Sequence, residues 1–150
     1  MIELSIIEKE EVPAAWFKQF KAYASIADDA QDSLLAAILT RAVLSVQAKA
    51  NKSLIACLIE LREDEIEDNT VRLYQTVANV VSVRSAGAAD LFYEPRGHSL
   101  RVYGDAAVVT YRTEPREGDI EALLPVVYQY ATALYDGEDS KTLANILSQC

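Results

Sequence analysis

The sequence predicts an α+β fold, predominantly helical, in which two N-terminal helices and a C-terminal helix pair surround a small antiparallel β-meander. Three observations predict it. Apolar residues recur at helical spacing from Pro13 to about Ala50 and again from Gly118 to Leu147, the period drops to two between those stretches, and glycine, proline and asparagine punctuate that middle part.

Ile2, Leu4 and Ile6 alternate with Glu3 and Ser5, the pattern of a short edge strand or an extended arm. Pro13 suits a first helical position, and Trp16, Phe17, Phe20 and Ala24 follow at helical spacing to a stop near Tyr23 to Ser25. The second helix is the strongest element. Asp28 or Asp29 is placed to cap it, Gln31 stands where a capping box needs it, and Leu34, Leu35, Ile38, Leu39, Ala42, Val43 and Val46 form one apolar stripe to about Ala50. Ile55, Cys57, Ile59 and Leu61 then alternate as a strand, ended by the acidic run from Glu63 to Asp68. Further short strands are expected at 71–75, 80–84, 91–94, 100–103 and 107–112, with turns at Gly87, Pro95-Arg96-Gly97 and Gly104-Asp105. A third helix carries Ile120, Leu123, Leu124, Val127, Tyr128, Ala131, Leu134 and Tyr135 and stops at Gly137, with Pro125 predicting a kink or a later start. Asp139 or Ser140 caps a final short helix with Leu143, Ile146 and Leu147 on one side.

At 150 residues and 51% hydrophobic, the chain has material for one core, so a single domain over 1–150 is expected. No uninterrupted apolar run approaches the roughly 20 residues of a membrane span, and the N-terminus lacks a signal-peptide pattern, so neither a membrane nor export is expected. The net charge of -9 argues against DNA binding by the whole surface. With His98 as the sole histidine, and Cys57 and Cys150 far apart, the sequence predicts no zinc site, no disulfide framework and no metal. The 63–68 run lacks the spacing and glycine of a calcium loop, and no glycine pattern cradles a phosphate, so no cofactor is expected. His98 beside Ser99 does not make a nucleophile and base, because neighbours on a strand point apart. No catalytic residue is assigned, and the chain is read as a non-enzyme.

One asymmetry does point to a surface. Every basic residue between Val71 and Ser140 is an arginine, whereas five of the six lysines precede Ser53. Tyr74, Tyr93, Tyr103 and Tyr111 lie in the same strand region, and arginine with tyrosine is the composition of binding hot spots. The candidate subunit interface is therefore Arg72, Arg84, Tyr93, Arg96, Arg101 and Tyr103. Its expected counterpart is the acidic helical region of another copy.

The stretch Lys21-Ala22-Tyr23-Ala24-Ser25-Ile26-Ala27-Asp28-Asp29-Ala30-Gln31-Asp32-Ser33-Leu34-Leu35, with the long helix and Asn51-Lys52-Ser53-Leu54 after it, resembles the opening of the head-tail connector family of tailed bacteriophages. Val108-Val109-Thr110-Tyr111-Arg112, Asp119-Ile120-Glu121-Ala122-Leu123 and the helix through Tyr135-Asp136-Gly137-Glu138 resemble that family's final strand and closing helix. The turn Thr113-Glu114-Pro115-Arg116-Glu117-Gly118 and Pro125 depart from the family pattern, as does the longer, more acidic segment from Leu54 to Asn79. The resemblance implies a homo-oligomeric ring between portal and tail proteins, located in the virion and in the host bacterial cytoplasm during assembly. It implies an axial channel through which DNA passes without sequence-specific binding. Residue by residue, Asp28, Asp32, Leu34 and Leu35 match the fold-defining start of the long helix, and Val109, Tyr111 and Ile120 match the last strand and closing helix. Another tail-completion or virion assembly protein, or a small ligand-binding domain, is the alternative.

Overall fold

Seven strands and four helices follow one another as β1 (Ile2–Lys9), α1 (Ala14–Tyr23), α2 (Asp32–Ala50), β2 (Cys57–Glu63), β3 (Thr70–Arg72), β4 (Val77–Arg84), β5 (Tyr93–Arg96), β6 (Ser99–Val102), β7 (Ala107–Thr113), α3 (Glu117–Tyr135) and α4 (Ser140–Leu147). This is a computed structural model, and it describes residues 1–150. The chain forms two compact units: a strand unit of Met1–Glu10 with Ile55–Glu114, and a helical unit of Glu11–Leu54 with Pro115–Cys150.

The expectation of a predominantly helical fold around a small meander is corrected here. Helix accounts for 37% of the chain and strand for 29%, in two antiparallel sheets. The larger has the order β1-β2-β7-β4 and the smaller β3-β6-β5, so neighbours in the sheet are mostly not neighbours in sequence. The period of two was hidden for physical reasons. Strands of three or four residues such as β3, β5 and β6 are too short to show it, and β4 has register shifts at Val77/Asn79 and Val80/Ser82 that break its alternation.

Within the strand unit, Ile59 of β2, Tyr111 of β7 and Val80 of β4 share one row, and Leu61, Val109 and Val83 the next. Ile59, Leu61, Val83, Val109 and Tyr111 are buried, as are Val71, Leu100 and Val102 on the inward row of the small sheet. The Tyr111 hydroxyl donates to the Tyr74 carbonyl and accepts from the Tyr74 amide, both at 3.2 Å, which fastens the segment between β3 and β4 to β7. Two tight turns close the small hairpins. Asp68 and Asn69 both have positive φ, as a type I′ turn demands, and Gly97 at φ 64° opens the two-residue turn between β5 and β6.

In the helical unit α2 packs on α3, and α3 on α4. Leu35, Leu39, Ala42, Val43 and Val46 are buried along α2, whereas Leu34, expected in the same stripe, is 51% exposed. Gln47 is fully buried and satisfied, its Oε1 accepting the Leu54 amide at 3.1 Å. By length and composition α2 is apolar enough to cross a membrane. Its buried stripe and the charges of Asp32, Arg41 and Lys49 instead fit a core helix with one polar face. α3 runs unbroken from Glu117 through Pro125, so its regular part does not start after the proline, one of the two outcomes the sequence offered. Its end is a Schellman motif: the Glu138 amide donates to Ala133 and the Gly137 amide to Leu134, with Gly137 at φ 71°. Asp139 caps α4 by accepting the Thr142 amide at 2.9 Å, and this bond holds its carboxyl below the ordinary aspartate value.

Candidate subunit-contact surfaces

The small sheet presents an arginine-rich outer face. Pairing places Thr70, Arg101 and Glu94 in one cross-strand row and Arg72, Ser99 and Arg96 in the next, all on the side opposite the buried Val71 and Leu100. Asp68, Thr70, Arg96, Ser99 and Arg101 line a shallow depression of about 280 Å³ on this face. Arg96 pairs with Glu94 at 3.1 Å. Arg72 and Arg101 lie instead over aromatic rings, 5.7 Å from Tyr74 and 5.4 Å from Tyr103, and neither makes an ion pair. A guanidinium stacked on a ring keeps its planar edge for a carboxylate or phosphate. Phe92, which sequence reasoning did not single out, packs on Tyr103 at 5.5 Å and is 67% exposed, with Tyr103 at 42%.

Four of the six residues chosen from the sequence therefore share one surface: Arg72, Arg96, Arg101 and Tyr103. Arg84 does not join them, since it lies on β4 and faces Asp90 at 3.7 Å. Tyr93 pairs with the buried Val102 and is half-buried. Tyr111, grouped with the surface tyrosines in the sequence, is a fully buried core residue.

The residues at the start of the long helix divide similarly. Asp28 does not cap α2. Its Oδ1 accepts the Ala30 amide at 3.1 Å in a local turn, and the N-cap is Gln31, whose side chain makes no cap bond but accepts from the Tyr135 hydroxyl. Asp32 is the first residue of α2 and binds Lys21 at 2.7 Å. Lys21 also reaches Asp29 and the Asp28 carbonyl, so one ammonium gathers the whole acidic turn, and the Asp32 and Asp29 bonds raise its pKa. Leu35 is buried and Leu34 is not. His98 is held through its carbonyl by the Leu73 amide, and the Ser99 hydroxyl donates to the Arg96 carbonyl.

A second surface lies at the β1 edge of the large sheet. Every residue of β1 is exposed, including Ile2, Leu4, Ile6 and Ile7 at 43%, 48%, 43% and 49%. Ile2, Leu4 and Ile6 lie in register with Glu63, Leu61 and Ile59, so the apolar inner face of the sheet continues, uncovered, onto its edge strand. Glu3, in register with Arg62, and Glu8, in register with Leu58, stand on the other face of the strand, and the acidic 63–68 turn adjoins its end, the Asp64 amide meeting the Met1 carbonyl. One Glu63 carboxylate oxygen is buried without a hydrogen-bond partner, and desolvation, reinforced by Glu67 and opposed by the N-terminal ammonium, raises its pKa. A raised carboxylate pKa means folding favours the protonated form. Its contribution is greatest below the ordinary range near about pH 4.3 and is lost as pH rises through the raised value. Glu63→Gln is therefore expected to raise the melting temperature at pH 7 by about 1–2 °C, roughly 0.5 kcal/mol after allowance for partial exposure, and to leave it unchanged near about pH 4.

No family profile and no curated protein sequence matches the chain. Solved structures do. The chain superposes on a chain in the neck of an empty gene transfer agent particle computed with C6 symmetry, with a TM-score of 0.63 and 14% identity over 98% of this chain and 94% of that one. A chain from the virion of a native gene transfer agent particle matches with the same TM-score and identity over 97% and 93%. A third, from the neck of a native particle computed with C12 symmetry, matches at 0.53 and 15% identity over 95% and 94%. The chain thus has the fold of neck and virion chains from gene transfer agent particles, across nearly its full length.

Proposed function

We propose that this chain is a non-enzymatic structural protein of a phage or phage-like particle: a head-tail connector that acts as one domain and forms a homo-oligomeric ring between portal and tail. The observation that carries this reading is the fold shared with a neck chain over 98% of this sequence and 94% of that chain. The cyclic symmetries named for those necks favour a closed ring of head-to-tail contacts here. The arginine face, with Arg72 and Arg101 unpaired inside one copy, is the subunit-contact surface of that ring. A net charge of -9 suits a channel wall past which DNA slides without sequence-specific binding.

The test is assembly mass by light scattering across protein concentration and salt, alone and with a purified portal, followed by imaging. The expected result is a cyclic oligomer whose subunit affinity falls at least tenfold between about 0.1 and 1 M salt, where the screening length shortens from about 10 to 3 Å. A chain that stays monomeric under all these conditions overturns the ring, and a ring indifferent to salt removes the arginine face from its contacts.

A further inference from the structure

The sequence suggests a counterpart of the arginine face among the helices, and the charge distribution of the folded chain offers a second candidate. The helical unit carries the smaller part of the acidic excess, and the larger part lies in the strand unit, where β1 and the turn after β2 hold Glu3, Glu8, Glu63, Asp64, Glu65 and Glu67, while Asp68 at the end of that turn lines the arginine face. One strand unit therefore carries both members of a complementary pair on different surfaces. The arginines stand on the outer side of the small sheet, turned away from that sheet's buried row, while the acids line an edge of the large sheet.

We propose that the β1 edge of one copy docks on the arginine and aromatic face of the next copy. This deepens the ring reading and rests on it. The occupant is a second copy because each property of β1 has its complement on this same chain. Glu3 and Glu8 make no ion pair in their own subunit, and Arg72 and Arg101 make none in theirs. The uncovered row of Ile2, Leu4 and Ile6 has its apolar counterpart in Phe92 and Tyr103, which are exposed beside the arginines. An edge strand with four exposed large aliphatics is a liability unless something covers it, and the glutamates on its other face select a basic cover, approaching edge-on, over another copy of the same edge. The two surfaces differ, so the contact is heterologous: each copy offers one edge and one face, and the pattern propagates until it closes.

All the residues involved are exposed or part of the open face, so charge reversal leaves both cores intact. The experiment compares the wild-type chain with Glu3→Lys/Glu8→Lys, with Arg72→Glu/Arg101→Glu, and with an equimolar mixture of the two variants, by light scattering at fixed low salt. Circular dichroism confirms the fold of each. Each variant alone is expected to assemble at least tenfold more weakly than wild type. The mixture is expected to recover assembly, because the intact face of the first variant meets the intact edge of the second, and their reversed surfaces attract as well. Wild-type assembly together with undiminished assembly of the β1 variant overturns this contact and leaves the ring standing. So does a mixture that stays as weak as its components. A wild-type chain that never assembles overturns the ring and this contact together.

Discussion

Replacing Tyr111 by alanine is expected to destabilise the strand unit by about 3–5 kcal/mol, the range for deleting a fully buried aromatic side chain. The magnitude follows from its position. Tyr111 lies on β7, a central strand, between Ile59 of β2 and Val80 of β4, and is among the largest side chains with no exposure. Its ring fills the core, while its hydroxyl both donates to and accepts from the Tyr74 backbone. Burial pushes the phenol above its ordinary pKa, although the Tyr74 hydrogen bond opposes that shift. Tyr111→Phe separates the two contributions. It keeps the ring and strands the Tyr74 amide and carbonyl, for an expected loss of about 1–2 kcal/mol. Chemical denaturation of both variants gives the numbers, and hydrogen exchange at Tyr74 locates the smaller effect. An alanine variant within about 1 kcal/mol of wild type would contradict the assignment of Tyr111 as the centre of this core.

Tyr111 also shows where sequence reasoning reached its limit. Its strand was legible, because Ala107, Val109 and Tyr111 alternate with polar or half-buried neighbours. Its role was not, since tyrosine favours strands, cores and interfaces alike and only its row partners decide among them. The helices were read more closely because their evidence is redundant. The stripe of α2 survives the loss of Leu34 to solvent, the Gly137 stop coincides with a left-handed residue, and Asp139 caps α4 as its position suggested. Capping at the start of α2 was misread because an aspartate that binds an amide two residues on looks, in sequence, like one that binds three residues on. The arginine face was legible in composition, and three of its four arginines do meet there. Arg84 belongs to the other sheet, and nothing in local sequence says which of two sheets a short strand joins. The acidic character of the strand unit was not legible as one feature, because β1 and the 63–68 turn are distant in sequence and fold into the same unit.

Phe20→Ala is expected to cost the helical unit about 3–5 kcal/mol, and its effect on α1 is expected to exceed its effect elsewhere. α1 has 10 residues, below the roughly 12–15 at which an isolated helix is even marginally stable in water. Its capping adds little, since Pro13 supplies no side-chain bond at the N-terminus. What holds it helical is the burial of Trp16 and Phe20, with packing against α3 and α2, assisted at its last turn by Lys21 reaching the acidic turn before α2. Removing the benzyl group of Phe20, which has no exposure at all, deletes one of these two anchors. Hydrogen exchange across residues 14–23 is therefore expected to accelerate in Phe20→Ala well before protection is lost in α2 and α3, as a local opening within the unit. Phe17→Ala is the control. Phe17 is only half-buried and lies under the Lys21 ammonium, so its removal is expected to cost about 1 kcal/mol and to leave the exchange pattern of α1 largely intact. Equal losses for the two variants would mean that α1 is held by its intrinsic helicity and its ion pairs and not by the burial of Phe20.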